Sequence, residues 1–595
     1  MLDMYTTMKN VQILLSLLKQ RGICRVVHSP GGSNVALSRS IQNDPFFIEY
    51  SVVDERSSVF FAMGLAMELD EPVVVLCTSG TAVTNFSSGM AEAYYKGVPV
   101  VAVTADRSTY LLDQLETQKL NQTDIFKSIT KCEVTLPVVQ TDDDAWYCNR
   151  LVNEALLELY HHGAGPVHIN VPTVGSNGGF SAMELPSQRM ITRLTIEDSA
   201  EEWLTKRDEL LSAEKVLVVM GENGRYSQDD LKAIEKFAIA YDCVVSVEHM
   251  SPYKKERSLI TYRATEAMTS SAFEPLVPDL VINVDGNIAS VNLKDYLRLK
   301  RGKFRHWSIM PNGKVRDVFK GLTDIFECSP RYFFNRLADL ADSVEKNRSD
   351  YYVLWQEAVE AVEMPELPLS HLAVAKSLAC RIPENSLLEL GILNSTRTMQ
   401  FFDLDPSVKV SSNIGALGID GSLSTLIGRS VATDALSFII QGDLSFFYDM
   451  NALNIRHVPS NLRVLVVNNG GGGEFHIGMN PDEVDDMDTY LTAAHSTRAE
   501  GWARSRGFKY LSVNREGELD AAVDEFVSPD SEAPVFLEVF TSKFDDAELL
   551  KRFYKNNSGA SLKERALDEA KQFAKSNFSG KLFSAASRLG KHNRA

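Results

Sequence analysis

Cysteine is scarce and never paired in this 595-residue sequence. Cys24, Cys77, Cys132, Cys148, Cys243, Cys328 and Cys380 are scattered, with no CxxC pair. That pattern excludes a zinc cluster or a disulfide framework and suits reduced thiols in a cytoplasm. No run reaches the roughly 18 apolar residues that a transmembrane helix needs. The opening stretch MLDMYTTMKNVQILLSLLKQ lacks a charged start and a small-residue cleavage site. It reads as an amphipathic helix rather than a signal peptide. Low-complexity segments are absent. Positive charge is in short supply, the net charge being −18. Lys551–Ala595 alone holds eleven Lys/Arg against three Asp/Glu, a net +8, which leaves −26 for the rest. A body that acidic is not expected to wrap nucleic acid.

What is present is a repeated alternation of apolar strands and amphipathic helices. PVVVLCTSGTA, VPVVAVTADR and PVHINVP are strands in the first third. KVLVVMGENG, CVVSVEH, DLVINVDG and KFRHWSIMP follow, then SLLELGIL, VKVSSN, LSFIIQGD, LRVLVVNN and APVFLEVF. Continuous Val/Ile/Leu runs alternating with helices predict parallel sheets covered on both faces. The fold class is therefore α/β, with three consecutive parallel-sheet domains. The expected bounds are 1–185, 195–350 and 365–550, with a basic amphipathic helical tail over 551–595.

The third domain carries the most specific local signal. Gly442-Asp443 stands 26 residues before Asn468-Asn469, with a helix-sized segment between. One strand–helix–strand unit would bring both loops to the carboxyl end of a parallel sheet, where such sheets bind ligands. Asp443 offers a carboxylate oxygen, Asn469 a side-chain carbonyl, and the glycines an exposed backbone. With phosphate oxygens and waters these complete a Mg²⁺ site. Gly442, Leu444 and Ser445 open a helix whose amides suit an anion. Spacing alone equally allows a plain strand–turn–helix with an Asp cap.

GDLSFFYDMNAL followed by VVNNGGG resembles the metal-diphosphate motif of thiamine diphosphate (ThDP) enzymes, and most closely that of the MenD-like, SEPHCHC synthase-like branch. SPGGS (29–33), DER (54–56), TSGTAV (78–83), TADR (104–107) and NIGALGIDG (413–421) extend the likeness in family order. The resemblance implies the pyruvate decarboxylase-like architecture, with pyrimidine-binding, central and diphosphate-binding domains. It also implies ThDP with Mg²⁺, Mn²⁺ being able to substitute, and a homodimer or homotetramer with active sites at the subunit interface. The implied reaction is decarboxylation of a 2-oxo acid followed by carboligation onto an acceptor.

By the same likeness, Glu55 is a buried carboxyl of raised pKa that hydrogen-bonds the cofactor's aminopyrimidine and sets up loss of its reactive proton. Thr81 lies near the pyrimidine. Asp443, Asn469 and the Gly471 carbonyl hold the metal. Ser395, Ser445, Gly442 and Leu444 meet the diphosphate, and Ile419 wedges between the two rings. Arg107, Gln118 and Ser33 face substrate.

The sequence departs from the family where substrate arginines are usual. Gly32-Ser33-Asn34 and Asn413-Ile414-Gly415 each lack one, and Met399 stands at a third position. Arg397, two residues from Met399, could replace it; Asn292-Leu293, beside Lys294, replaces a Lys-Arg pair. Arginine forks suit carboxylates, each contact being worth roughly 1.5–3 kcal/mol. Their loss points to a changed donor or acceptor. The alternatives are the authentic family reaction of 2-oxoglutarate with isochorismate, acyl transfer to a keto-sugar, or a non-catalytic ThDP-binding scaffold. Glu474 replaces an apolar residue and has His476 two positions on. Either is a candidate proton donor or acceptor, against the plainer reading of an exposed loop pair. In the tail, Leu562, Ala566, Leu567, Ala570, Phe573 and Ala574 share one helical face. The face is expected to pack on the acidic body or on a neighbouring subunit. Contact with an anionic membrane surface is the alternative.

Overall fold

The computed structural model describes residues 5–173, 179–222, 226–284, 286–341, 350–478 and 486–558. The expected tail helices from Leu562 onward lie outside the described residues. The chain divides into two compact units. One is built from residues up to Arg193 with Val315–Ile325, the other from Leu194–Lys314 and from Phe326 onward.

The first unit centres on a six-stranded sheet. Its strands are β1 (Arg25–His28), β2 (Ile48–Ser51), β3 (Val73–Cys77), β4 (Val100–Asp106), β5 (Cys132–Thr135) and β6 (Val167–Pro172). The spatial order is β2-β1-β3-β4-β6-β5, and every neighbouring pair is parallel. β3, β4 and β6 are buried along their whole length; β3 is an unbroken apolar run, while β4 and β6 bury Thr104, Asp106, His168 and Asn170 among their apolar residues. On one face pack Val59, Ala62, Met63 and Ala66 of helix α1 (Glu55–Leu69), after which come helices α2 (Thr81–Asn85) and α3 (Ser87–Lys96). Helix α1 starts where it does because the Asp54 side chain accepts hydrogen bonds from the Arg56 and Ser57 amides at 3.0 and 3.3 Å.

The second unit contains two sheets. Five parallel strands, β7 (Val216–Met220), β8 (Val244–Val247), β9 (Ser258–Ile260), β10 (Leu280–Val284) and β11 (Arg305–Ile309), run in the order β9-β8-β7-β10-β11. The other sheet has six strands. These are β12 (Leu387–Leu390), β13 (Lys409–Ser412), β14 (Ser437–Gly442), β15 (Leu462–Asn468), β16 (Lys509–Val513) and β17 (Val535–Phe540). They are all parallel, in the order β13-β12-β14-β15-β17-β16. Within this unit His249 at the end of β8 bonds the Met399 and Phe402 carbonyls at 3.0 and 2.8 Å, joining the two sheets' layers.

The α/β class and the three parallel sheets are as the sequence predicts. Three strands were not read from the sequence, the three-residue edge strand β9 and the longer pair β5 and β16. Both are edge strands of mixed character, CEVT and KYLSV, buried on fewer positions than their neighbours. Lacking a second covered face, they do not form the continuous apolar run that marks an interior strand.

Candidate functional site

In the order β13-β12-β14-β15-β17-β16 the chain direction of winding reverses between β12 and β14. Loops leaving adjacent strands diverge at such a point and open a crevice. β12 feeds helix α4 (Asn394–Met399) and β14 feeds helix α5 (Asp443–Asp449). β15 lies beside β14, with Gly442 paired to Val467, so Asp443 and Asn469 leave neighbouring strand ends. This is the outcome expected from their 26-residue spacing.

Asp443 is 2% exposed. Its Oδ2 accepts the Gly470 and Gly471 amides at 2.8 and 3.0 Å, and its Oδ1 accepts the Leu444 amide at 2.6 Å. His495 Nε2 lies 3.3 Å from Oδ2. Burial pushes the Asp443 pKa up, against the pull of His495 and the three amides. Gly471 has φ +140°, and a Cβ there would lie 2.7 Å from the Thr492 carbonyl, so no side chain fits. Its own carbonyl accepts the Gly473 amide at 3.0 Å.

Asn469 donates Nδ2 to Asp546 Oδ2 at 3.1 Å. Among the described residues no donor reaches its Oδ1. Ser445 donates to the Ile419 carbonyl at 2.5 Å and to Gln441 Oε1 at 3.3 Å. Buried Ser395 lies 3.2 Å from His371 Nε2. Ile419 is half-buried and outside the core clusters, so it is not plain core packing. A Cβ on Gly442 would meet nothing within 4 Å. Open space beside Gly442, a buried carboxylate and an amide oxygen without a protein donor together fit a divalent metal with a diphosphate. Leu444 enters as the backbone amide bound by Asp443.

Arg397 and Glu474 are together, and bound to each other. Arg397 NH1 and NH2 donate to Glu474 Oε2 and Oε1 at 2.7 and 2.8 Å, a two-pronged ion pair between α4 and helix α6 (Glu474–Gly478). Arg397 also donates to Asn394 Oδ1 at 2.9 Å. Burial opposes its charge, but Tyr554 and Glu474 outweigh that and push its pKa well up. His476 is buried against Phe544, with ring centroids 4.7 Å apart. Burial, helped by Lys543, lowers its pKa and favours the neutral ring.

In the first unit, the winding reverses between β1 and β3. Ser33 Oγ lies 2.9 Å from Ser79 Oγ, and the Gly80 amide donates to Gln122 Oε1 at 3.1 Å. Thr81 is the exposed first residue of α2. Gln118 sits against Gly80, its Cα 3.1 Å from where a Cβ of Gly80 would be. Ser33, Thr81 and Gln118 therefore share one loop cluster. Arg107 is held by Glu116 at 2.8 Å and by the Thr117 carbonyl. Glu55 is the first residue of α1 and raises the pKa of Cys77 at the end of β3, behind the larger effect of that thiol's burial. It is half-buried in this chain, where the sequence suggested a buried carboxyl. The helix start that places it also keeps it near the surface.

Three residues of the second crevice were not read from the sequence: His371, His495 and Asp546. Asp546 sits in the first turn of helix α7 (Lys543–Ser558), directly after β17. A carboxylate just beyond a strand's carboxyl end was the available signal.

Residues 8–125 match the family model described as thiamine pyrophosphate enzyme, N-terminal TPP binding domain. The chain is 40% identical over 566 residues to a 2-succinyl-5-enolpyruvyl-6-hydroxy-3-cyclohexene-1-carboxylate synthase of Bacteroides fragilis, covering 93% of this chain and 99% of that protein. Proteins of the same description from Phocaeicola vulgatus and Porphyromonas gingivalis are 38% and 32% identical over 562 and 575 residues. These alignments cover 93% and 94% of this chain and 99% and 98% of the relatives.

Proposed function

The chain belongs to the family of the 2-succinyl-5-enolpyruvyl-6-hydroxy-3-cyclohexene-1-carboxylate (SEPHCHC) synthases, ThDP- and metal-dependent enzymes that decarboxylate and form a C–C bond, and we propose that its donor is 2-oxoglutarate and its acceptor isochorismate. The observation that carries this is identity of 38–40% along nearly the whole of both chains, together with an intact Glu55, Asp443 and Asn469. A binding-only scaffold would not need the glutamate.

ThDP supplies an electron sink for loss of CO₂ from the 2-oxo acid. Glu55 holds and moves a proton at the aminopyrimidine end. Asp443, Asn469 and the Gly471 carbonyl would hold Mg²⁺ or Mn²⁺, while Ser395, Ser445 and the Gly442–Leu444 backbone would orient the diphosphate. Ile419, half-buried and with its own carbonyl accepting the Ser445 hydroxyl, would pack against the bound cofactor between its two rings. Arg107, Gln118 and Ser33 line the substrate side, and Thr81 lies near the pyrimidine.

A homo-oligomer is part of this reading. Helix α1 is apolar on nearly all sides, and Phe60, Phe61, Met67 and Leu69 are 38–55% exposed. Tyr95 on the neighbouring α3 is 82% exposed. A second copy covering that face accounts for it, since helices that are apolar all round are buried. No described helix is long and apolar enough to cross a membrane, and the proposed location is the cytoplasm.

A second reading, a changed donor, is favoured by one observation. Arg397, two residues from Met399, is already forked onto Glu474. CO₂ release from 2-oxoglutarate, pyruvate and longer 2-oxo acids, with and without isochorismate, decides between them. Release from 2-oxoglutarate with product only when isochorismate is added supports the main reading. Release from another acid and none from 2-oxoglutarate overturns it in favour of the second.

A further inference from the structure

Asn469 is useful to a metal only if its amide is the right way round. Oδ1 can ligate a cation and Nδ2 cannot, yet the two ends are nearly the same shape. Something must decide between them. Asp546 is 6% exposed, and its Oδ2 lies 3.1 Å from Asn469 Nδ2 and 2.8 Å from the Thr541 hydroxyl that donates to it. Its Oδ1 accepts the His371 amide at 2.8 Å. An ionised carboxylate only accepts hydrogen bonds. Facing Asp546, Asn469 must turn its NH₂ inward and its carbonyl oxygen away. The same carboxylate fixes the start of the helix His371–Ala379, whose first residue bonds Ser395.

We infer that Asp546 is a positioning residue that sets the Asn469 amide with Oδ1 free for the metal, and through the His371 amide ties this setting to Ser395. The inference rests on the metal site proposed above. It names a residue that touches neither metal nor diphosphate.

The test uses full-length protein and reads Mg²⁺-dependent ThDP binding by calorimetry and the EPR spectrum of Mn²⁺ bound with ThDP. In D546N, Oδ1 still accepts the His371 amide, so Nδ2 faces Asn469 and draws its carbonyl inward. Metal affinity falls by about 10- to 100-fold, the usual cost of losing a partner that orients a ligand. The thermal midpoint of the metal-free protein stays near that of the parent. The sharper variant is the exchange D546N/N469D. An amide at 546 then donates to one oxygen of a carboxylate at 469, and the other oxygen remains for the metal. The exchange binds at least about tenfold tighter than N469D alone, in which two carboxylates face each other. That comparison decides the matter even if D546N alone does not fold. D546N equal to the parent, or the exchange no tighter than N469D, overturns the inference. A parent protein that binds no Mg²⁺–ThDP overturns the proposed function instead, so the two failures are distinct.

Discussion

The first and last sheets have the same strand order and opposite chemistry. Numbered within each sheet, both run 2-1-3-4-6-5 with all strands parallel. In both, a glycine after the first strand crosses close to the third. A Cβ on Gly31 would lie 2.3 Å from Thr78 Cβ, and one on Gly391 would lie 2.9 Å from Gln441 Cβ. Both crevices open at the same topological point. The first presents a carboxyl at a helix start, Glu55, beside hydroxyls and amides. The last presents Asp443, with a glycine turn folded onto it. Topology thus fixes where the loops open a crevice, and a handful of loop residues fixes the chemistry presented there.

The largest break in this comparison comes from removing one carboxylate at a time. E55Q is expected to lower kcat by about 10²–10⁴-fold, the usual weight of a proton-transfer group, with ThDP affinity little changed. D443A is expected to do the opposite, abolishing metal-dependent ThDP binding. Steady-state kinetics beside calorimetry separates the two. If E55Q loses cofactor and D443A keeps it, the division of labour is wrong.

A smaller effect concerns the Arg397–Glu474 pair of the second crevice. R397M leaves the part-buried Glu474 without its fork and is expected to cost about 1–3 kcal/mol. The drop is read as a lower urea midpoint at unchanged slope. R397M/E474L recovers most of it, because an apolar pair leaves no stranded charge. If E474Q lowers turnover while stability holds, Glu474 has a proton role beyond the pair.

The smallest effect is a pH dependence. Glu389 is buried within β12, whereas β1 carries Val26 and Val27 in its interior. Burial pushes the Glu389 pKa up from 4.5 to about 7, and the same cause raises Glu248 to about 7. A carboxyl with a raised folded-state pKa keeps more protons in the folded state. Its stabilising contribution is therefore present below the unfolded value near 4.5 and is lost as pH rises through about 7. The urea midpoint of the second unit is expected to fall between pH 5 and 8. E389Q flattens that decline; an unchanged slope in E389Q removes Glu389 from the account.

What the sequence reveals follows what local pattern can carry. Interior strands such as VVVLC, and LRVLVVN with its Val464–Val467 run, are legible because burial on both faces favours consecutive apolar residues. The edge strands β5 and β16 are not, having one open side. Gly-Asp and Asn-Asn at a strand–helix–strand spacing place Asp443 and Asn469 side by side before any coordinates are seen. The Arg397–Glu474 fork is invisible at that level, because the partners are 77 residues apart and meet only in the folded chain. Asp546 is hidden for the same reason: Thr541 is close in sequence, but Asn469 and the His371 amide lie 77 and 175 residues away.

The fork also constrains how this chain can vary over generations. A change at 397 or at 474 alone strands its neighbour, so each step by itself is penalised. Natural variants should therefore gain or lose the two charges in tandem, and a lineage freeing that guanidinium for new chemistry must first retire the acid that occupies it.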